Sequence, residues 1–326
     1  MDDIDSQDIV EEAPAKNTFI APSIDEKQIF ANNSYTYHSA LPSTILANKD
    51  TECVLGVDEA GRGPVLGPMV YGLLYLPLTL HHSLLAETHR FDDSKVLTPT
   101  VRSNLLEKLC TPGSDLFENC GWATRIMSAR DIGANMLKPA IYNLNAQAMD
   151  ATIALIQQVL DAGINVKEVY IDTIGKEEIY QRKLERVFPT LTITVAKKAD
   201  SLYPSVSAAS VCAKVTRDAA LEVAYKALTA DAHGTSADGW GSGYPSDARC
   251  VNWLRGNLDP VFGWDGQCRF SWGTAKDLLD KREFARKVEW PEESGGDGML
   301  ALSEYFRDDY DDIANWWGQT AEEVMI

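Results

Sequence analysis

A short apolar run, Cys53 to Val57, delivers two adjacent carboxylates, Asp58 and Glu59, into the glycine turn Gly61-Arg62-Gly63, closed by Pro64. A compact apolar run bounded by a turn reads as a buried strand. Neighbouring anions at the end of such a strand repel each other, so the pair is tolerated where it shares a metal ion or a basic partner. Gly61 and Gly63 lack a Cβ, so the backbone there can approach a ligand closely, and Arg62 between them offers a cation for phosphate. A turn of this kind can hold metal on one side and read a sugar-phosphate on the other.

The same arrangement returns twice. Val166 to Ile171 reads as a strand ending on Asp172, before Thr173-Ile174-Gly175, and Leu191 to Val195 runs into Ala196-Lys197-Lys198-Ala199-Asp200. Carboxylates at the carboxyl ends of buried strands are where α/β sheets place their ligands. Met69 to Leu76 reads as a strand forming a hairpin-like pair with Cys53–Val57, and Trp122 to Met127 as a third strand. Helices are expected from Thr98-Pro99 to Leu109, over Ala129–Asn135 with Ser128 as cap, and from Tyr142-Asn143-Leu144-Asn145 to Asp161. The last of these has Ile153, Ile156, Val159 and Leu160 as its apolar face. Further helices span 177–188, 204–231, 247–254 and 274–286. Strands alternating with helices in this way predict an α/β sheet with helices on its faces.

The helix over 204–231 carries Ser207, Ser210, Lys214 and Arg217 on one face, beginning near Asp200, and Ala208, Ala209 and Ala213 would let it pack close to the sheet. Downstream, the loop Gly239-Trp240-Gly241-Ser242-Gly243-Tyr244-Pro245 can lay Tyr244 against a sugar or base, an interaction worth about 1–3 kcal/mol.

The net charge of −18 is unevenly spread. Residues 1–52 hold ten acids and three bases, 283–326 hold twelve and three, and 53–282 hold 26 and 24, so the acidity lies at the two ends. A near-neutral middle, four of whose acids would be offset by metal, is compatible with a local basic groove for phosphates. No apolar run reaches the length of a membrane helix, and the acidic beginning lacks the features of a secretory signal. The six cysteines form no Cys-x-x-Cys pair and read as reduced thiols, not a zinc site. Four segments are expected: a disordered acidic arm over 1–45, a catalytic domain over 46–258, a helical extension over 259–290, and an acidic tail over 291–326. In that tail Leu302, Phe306, Tyr310, Ile313 and Trp317 lie at helical spacing, as in a docking helix.

The string Leu55 to Pro68, with its core Asp-Glu-Ala-Gly-Arg-Gly-Pro, resembles the signature of the type 2 ribonuclease H family, in the form of the catalytic subunit of its eukaryotic members. Tyr-Ile-Asp-Thr-Ile-Gly at 170–175, Lys-Lys-Ala-Asp-Ser-Leu-Tyr-Pro at 197–204, the block 207–218 and Gly-Ser-Gly-Tyr-Pro at 241–245 resemble the family's other blocks, in order. The resemblance implies a ribonuclease H-like α/β fold with a mostly helical C-terminal part. It places the metal-binding, catalytic carboxylates on Asp58, Glu59, Asp172 and Asp200, the ribose 2′-OH contact on Gly61, Arg62 and Gly63, and junction recognition on Tyr244. Lys95, Asn143, Lys198, Lys214 and Arg217 are assigned to phosphate or nucleotide contacts.

Four such carboxylates can bind two Mg²⁺, with Mn²⁺ as a substitute, which serve the attacking water and the leaving oxygen. The 2′-OH is what separates RNA from DNA at a site. The resemblance therefore implies hydrolysis of RNA in RNA/DNA hybrids and incision 5′ of single ribonucleotides in duplex DNA, in ribonucleotide excision repair and primer removal. It also implies accessory B and C subunits and work in the nucleus, with entry through a partner because no basic run exceeds two residues. Two rival readings are a two-metal nuclease with other substrates and a non-catalytic nucleic-acid-binding subunit of the same fold.

Overall fold

The central strand of a six-stranded sheet is the Cys53 run itself. A computed structural model describes residues 19–91, 97–138, 142–173, 175–229, 239–281, and the backbone of 288–289 and 319–320. Its elements are α1 (Glu26–Phe30), β1 (Tyr35–His38), α2 (Ser43–Ala47), β2 (Cys53–Ala60), β3 (Met69–Pro77), α3 (Pro99–Cys110), α4 (Asp115–Asn119), β4 (Gly121–Met127), α5 (Ala129–Met136), α6 (Leu144–Asp161), β5 (Val166–Asp172), α7 (Glu177–Val187), β6 (Thr192–Ala196), α8 (Pro204–Thr229), α9 (Ala248–Gly256) and α10 (Gly273–Asp280). Two short strands, β7 (Val288–Glu289) and β8 (Gln319–Thr320), pair antiparallel. Among the described residues no helix is long and apolar enough to cross a membrane.

The sheet order is β1-β4-β3-β2-β5-β6. The hairpin β2–β3 forms as its sequence suggested, and β4 and β1 extend it antiparallel, whereas β5 and β6 join parallel on the other side of β2. One face is covered by α6 and α7, whose Leu155, Ile156, Val159 and Leu184 pack on Leu55, Val57, Val169 and Ile171. On α6 the buried stripe runs through Ala148, Ala151, Leu155 and Val159, so Ile153 and Leu160 sit at its margin and not at its centre. The other face carries α8, with α3 and α4 beside it. Here the small residues of α8 have counterparts in the sheet: a Cβ on Gly56 would lie 2.2 Å from the Ser205 carbonyl carbon, and one on Gly72 2.3 Å from the Ala209 carbonyl oxygen. Helix and sheet therefore touch backbone to backbone, and α8 can carry polar groups over the strand ends without a thick apolar layer between.

The N-terminal segment differs from the disordered arm expected over 1–45. Residues 19–47 form α1, β1 and α2, and β1 closes the sheet edge against β4. The segment is tied down by a few long-range bonds: Ser23 Oγ shares a hydrogen bond with Thr216 Oγ1 of α8 at 2.8 Å, and Ser34 Oγ donates to Asp131 Oδ2 of α5 at 2.6 Å. Residues 1–18, and the proposed docking stripe from Leu302 to Trp317, lie outside the described residues.

Candidate active site

β2 does not stop at Val57. It stays paired with β3 through Asp58 and Glu59 to Ala60. Side chains alternate across a strand, so the two adjacent acids emerge on opposite faces. Asp58, in phase with Val54 and Gly56, lies under α8, where Ser210 hydrogen-bonds its carboxylate. Glu59, in phase with Leu55 and Val57, faces a cavity of about 540 Å³ between the sheet, α6 and α7. Asp172 lies one residue beyond Ile171, the parallel partner of Val57, and it lines the same cavity. Its Oδ1 accepts the Ala199 N–H at 2.9 Å, which fixes the turn carrying Asp200. Lys198 just before that turn adopts a left-handed conformation, φ +56°, and so reverses the chain after β6. The four acids thus come from the carboxyl ends of three neighbouring parallel strands.

Their electrostatics match an anionic cluster. Burial, then the neighbouring Glu59 charge, raise the Asp58 carboxyl well above its ordinary range. Glu59 is pushed up to about 7 by burial, with Arg62 opposing and Asp172 adding to the rise.

The glycine turn is held from behind. Gly61 has φ +77°, and a Cβ there would lie 2.7 Å from the Pro68 carbonyl oxygen, so only glycine fits. The buried Arg269 guanidinium donates to the Gly61 carbonyl at 2.7 Å and to those of Arg62 and Gly67 at 3.0 Å. Trp272 stacks on Arg269 with the guanidinium carbon 4.8 Å from its ring centroid, and its Nε1 donates to the Gly63 carbonyl at 3.1 Å. With the carbonyls drawn backward, the front of the turn is free to meet a ligand. Tyr244 completes it: a Cβ on Gly63 would meet the Tyr244 ring at 3.3 Å. Behind Tyr244, Arg217 of α8 lies 5.6 Å from the ring centroid and donates to the Ser242 carbonyl at 2.6 Å. Asp247 accepts from the Ser242 N–H at 2.8 Å and from its hydroxyl at 2.9 Å, anchoring the same loop.

Arg217 is therefore buried, although helical spacing alone allowed a solvated face, and its contacts position Tyr244. Ser207 and Ser210 are buried too, turned toward the sheet. Lys214 is half-buried on that helix, and Lys198 is exposed beside Asp200. Asn143 caps α6, its Oδ1 accepting from the Asn145 and Ala146 N–H groups at 3.0 and 3.1 Å. The Arg62 side chain donates to Asn145 Oδ1, linking the turn to that helix start. Lys95 lies outside the described residues. Sequence reasoning missed Arg269 and Trp272, whose segment Gln267-Cys268-Arg269-Phe270-Ser271-Trp272 has no periodicity or recognised motif. An arginine in a weakly patterned, aromatic-rich stretch was the only signal.

Among the described residues no three His, Cys, Asp or Glu side chains converge into a ready-made cation shell. The donor set still fits Mg²⁺. It is all carboxylate oxygen, partly desolvated and mutually repelling, and Mg²⁺ is typically held by one or two carboxylates plus substrate phosphates and water, without a full protein cage.

A mixed sheet with acids at neighbouring strand ends, covered by a close-packed helix, defines a ribonuclease H-like nuclease core. The Ribonuclease HII family model matches residues 55–275. The chain is 54% identical to the ribonuclease H2 A subunit of Neurospora crassa, covering 96% of this chain and 98% of that protein. It is 39% identical to the ribonuclease H2 A subunit of Homo sapiens, over 87% of this chain and 91% of the relative. Among solved structures, ribonuclease H2 from Pyrococcus horikoshii superposes with a TM-score of 0.55 at 27% identity, covering 69% of this chain and 96% of the other. The chain belongs to the ribonuclease HII family and is a ribonuclease H, a hydrolase.

Proposed function

We propose that the chain hydrolyses the RNA strand of RNA/DNA hybrids and incises 5′ of single ribonucleotides in duplex DNA, leaving 5′-phosphate and 3′-hydroxyl ends. The observation that carries this reading is the Gly61-Arg62-Gly63 turn, pinned by Arg269 and Trp272 against Tyr244 on the strand that bears Asp58 and Glu59. Backbone groups held this rigidly can test a ribose for its 2′-OH, while the Tyr244 ring offers a surface to the next sugar or base. Asp58, Glu59, Asp172 and Asp200 would hold divalent cations, Mg²⁺ or Mn²⁺ in its place, which supply charge neutralisation at the scissile phosphate and a water of lowered pKa. Ser210 and the Ala199 N–H orient two of these carboxylates before substrate arrives. Arg62, braced by Asn145, presents its charge at the cavity mouth.

This activity suits ribonucleotide excision repair and removal of RNA primers. The relatives are A subunits by name, which supports assembly with accessory B and C subunits, and we place the complex in the nucleus, entered with a partner. The test is a DNA duplex carrying one ribonucleotide, incubated with Mg²⁺ and the chain, alone and with those subunits, beside an all-DNA control. Incision confined to the ribonucleotide and lost in Asp200→Asn is the expected result. Equal cutting of the all-DNA duplex would overturn the 2′-OH reading.

A further inference from the structure

The cavity beside Glu59 and Asp172 has an outer wall that the four carboxylates do not explain. It is formed by α7 and the residue that caps it: Ile179, Tyr180 and Lys183 lie on one helical face, and the cap Lys176 precedes them, all four lining the cavity. Of the other charged side chains of α7, all but Arg186, which does not line the cavity, are engaged elsewhere among the described residues. Arg182 Nη2 lies 3.1 Å from Glu178 Oε2, Lys197 Nζ lies 3.9 Å from Glu177 Oε1, and Gln181 Nε2 donates to Glu185 Oε1 at 2.8 Å. Lys176 and Lys183, both exposed, have no ion pair or side-chain hydrogen bond among the described residues. Across the cavity stand Asn143 and Asn145, whose amide oxygens are already occupied, by the α6 N–H groups and by Arg62 respectively. Each still offers its amide NH₂ group. The cavity is thus acidic at its inner end and rimmed mainly by donors and cations, with one carboxylate among them, Asp150, which accepts from Tyr142 Oη at 2.7 Å.

We propose that Lys176 and Lys183 form a phosphate rail that holds the sugar-phosphate chain of the cleaved strand beyond the scissile bond. Seven positions, from the residue capping α7 to its second turn, separate the two ammonium groups' origins by about 10 Å, too far for one tetrahedral oxyanion and suited to a chain of them. Exposed Ile179 and half-buried Tyr180 between them offer an apolar surface to a ribose. Lysine suits this task as a point charge without base preference, so the rail contributes affinity and register, not selectivity for RNA. The inference rests on the proposed substrate, a nucleic-acid duplex cut at Asp58, Glu59, Asp172 and Asp200.

The test compares Lys176→Gln, Lys183→Gln and the double variant with Arg182→Gln, which removes the same charge from another face of the same helix. Binding of a fluorescent duplex with one ribonucleotide, and of its all-DNA counterpart, is followed by anisotropy between 50 and 200 mM salt, each variant in an Asp200→Asn background that prevents turnover. Cleavage is followed separately in Mg²⁺ with Asp200 intact. One phosphate contact contributes about 0.9 to the slope of log K against log salt, or about 3.5-fold in affinity over that range. Each lysine variant should lose about that much slope, the double variant about twice as much, and Arg182→Gln none. In cleavage, KM should rise several-fold and kcat stay unchanged. Lysine variants that match Arg182→Gln in slope, or that lower kcat with an unchanged slope, would overturn the rail. If the slopes fall as expected while all-DNA duplex is cut as well as the ribonucleotide substrate, the rail stands and the 2′-OH reading fails. Incision only at the ribonucleotide with unchanged slopes has the opposite meaning.

Discussion

Replacing Arg269 by lysine keeps the charge and removes the fork, and so tests whether geometry at the back of the glycine turn matters. The wild-type guanidinium makes three hydrogen bonds, to the carbonyls of Gly61, Arg62 and Gly67, at 2.7–3.0 Å. Burial lowers its pKa to about 9, with Arg217 adding to the effect, so it remains protonated at pH 7 and all three bonds are charge-assisted. A lysine ammonium places its donors on a single nitrogen and cannot reach both the Gly61–Arg62 pair and Gly67, nor stack flat on Trp272. Losing one or two such bonds, at about 1.5–3 kcal/mol each, together with roughly 1 kcal/mol of stacking, amounts to about 2.5–7 kcal/mol. Part of that should appear as a lower urea midpoint. The rest should appear in activity, since misplacing a substrate-positioning turn by about 1 Å costs on the order of 100-fold. We expect Arg269→Lys to remain folded at 25 °C with a clearly reduced midpoint, and kcat/KM on a single-ribonucleotide duplex to fall about 100-fold. A variant within twofold of wild type in kcat/KM, with an unchanged midpoint, would refute the role assigned to the fork.

Other consequences follow from the same contacts. Gly56→Ala forces a methyl into the Ser205 backbone, so α8 must lift from the sheet; a loss of about 3 kcal/mol, at the upper end for overpacking, should show in denaturant melts, and a neutral result would contradict the close approach. The Gln267 carbonyl accepts the Gly67 N–H at 2.8 Å, and its side chain donates to Asn32, so Gln267→Ala should raise KM for the ribonucleotide duplex by several-fold, with Asn32→Ala showing the same effect non-additively. Fully additive effects would mean that the two residues act separately. Finally, Glu59 holds its proton up to about pH 7 in the fold but only to about 4.5 when unfolded, so the folded state binds more protons in that window and stability falls as pH rises through it. Cations relieve the resulting repulsion, hence Mg²⁺ should raise Tm more at pH 8 than at pH 5, and less in Asp200→Asn; equal shifts at the two pH values would argue against binding at this cluster.

Much of the framework was legible locally. β3 and β4, the caps Thr98 and Ser128, and the positions of Asp58, Asp172 and Asp200 at strand ends all came from apolar runs and turn residues, because strand, cap and turn preferences act over a few neighbours. Tertiary structure decided the rest. Extension of β2 through Glu59 depends on pairing with β3, and it is this pairing that sends Asp58 and Glu59 to opposite faces. The stretch 19–47 is ordered by Thr216, Trp122 and Gln267, residues far along the chain, and its own few apolar anchors carry no such signal. Arg217 and Arg269 are indistinguishable in sequence from solvated arginines. They became a support for Tyr244 and a clamp for the glycine turn only when the fold brought Ser242 to one and the Gly61, Arg62 and Gly67 carbonyls to the other, because a buried cation's role is set by which acceptors surround it, and those acceptors lie 25 to 208 residues away.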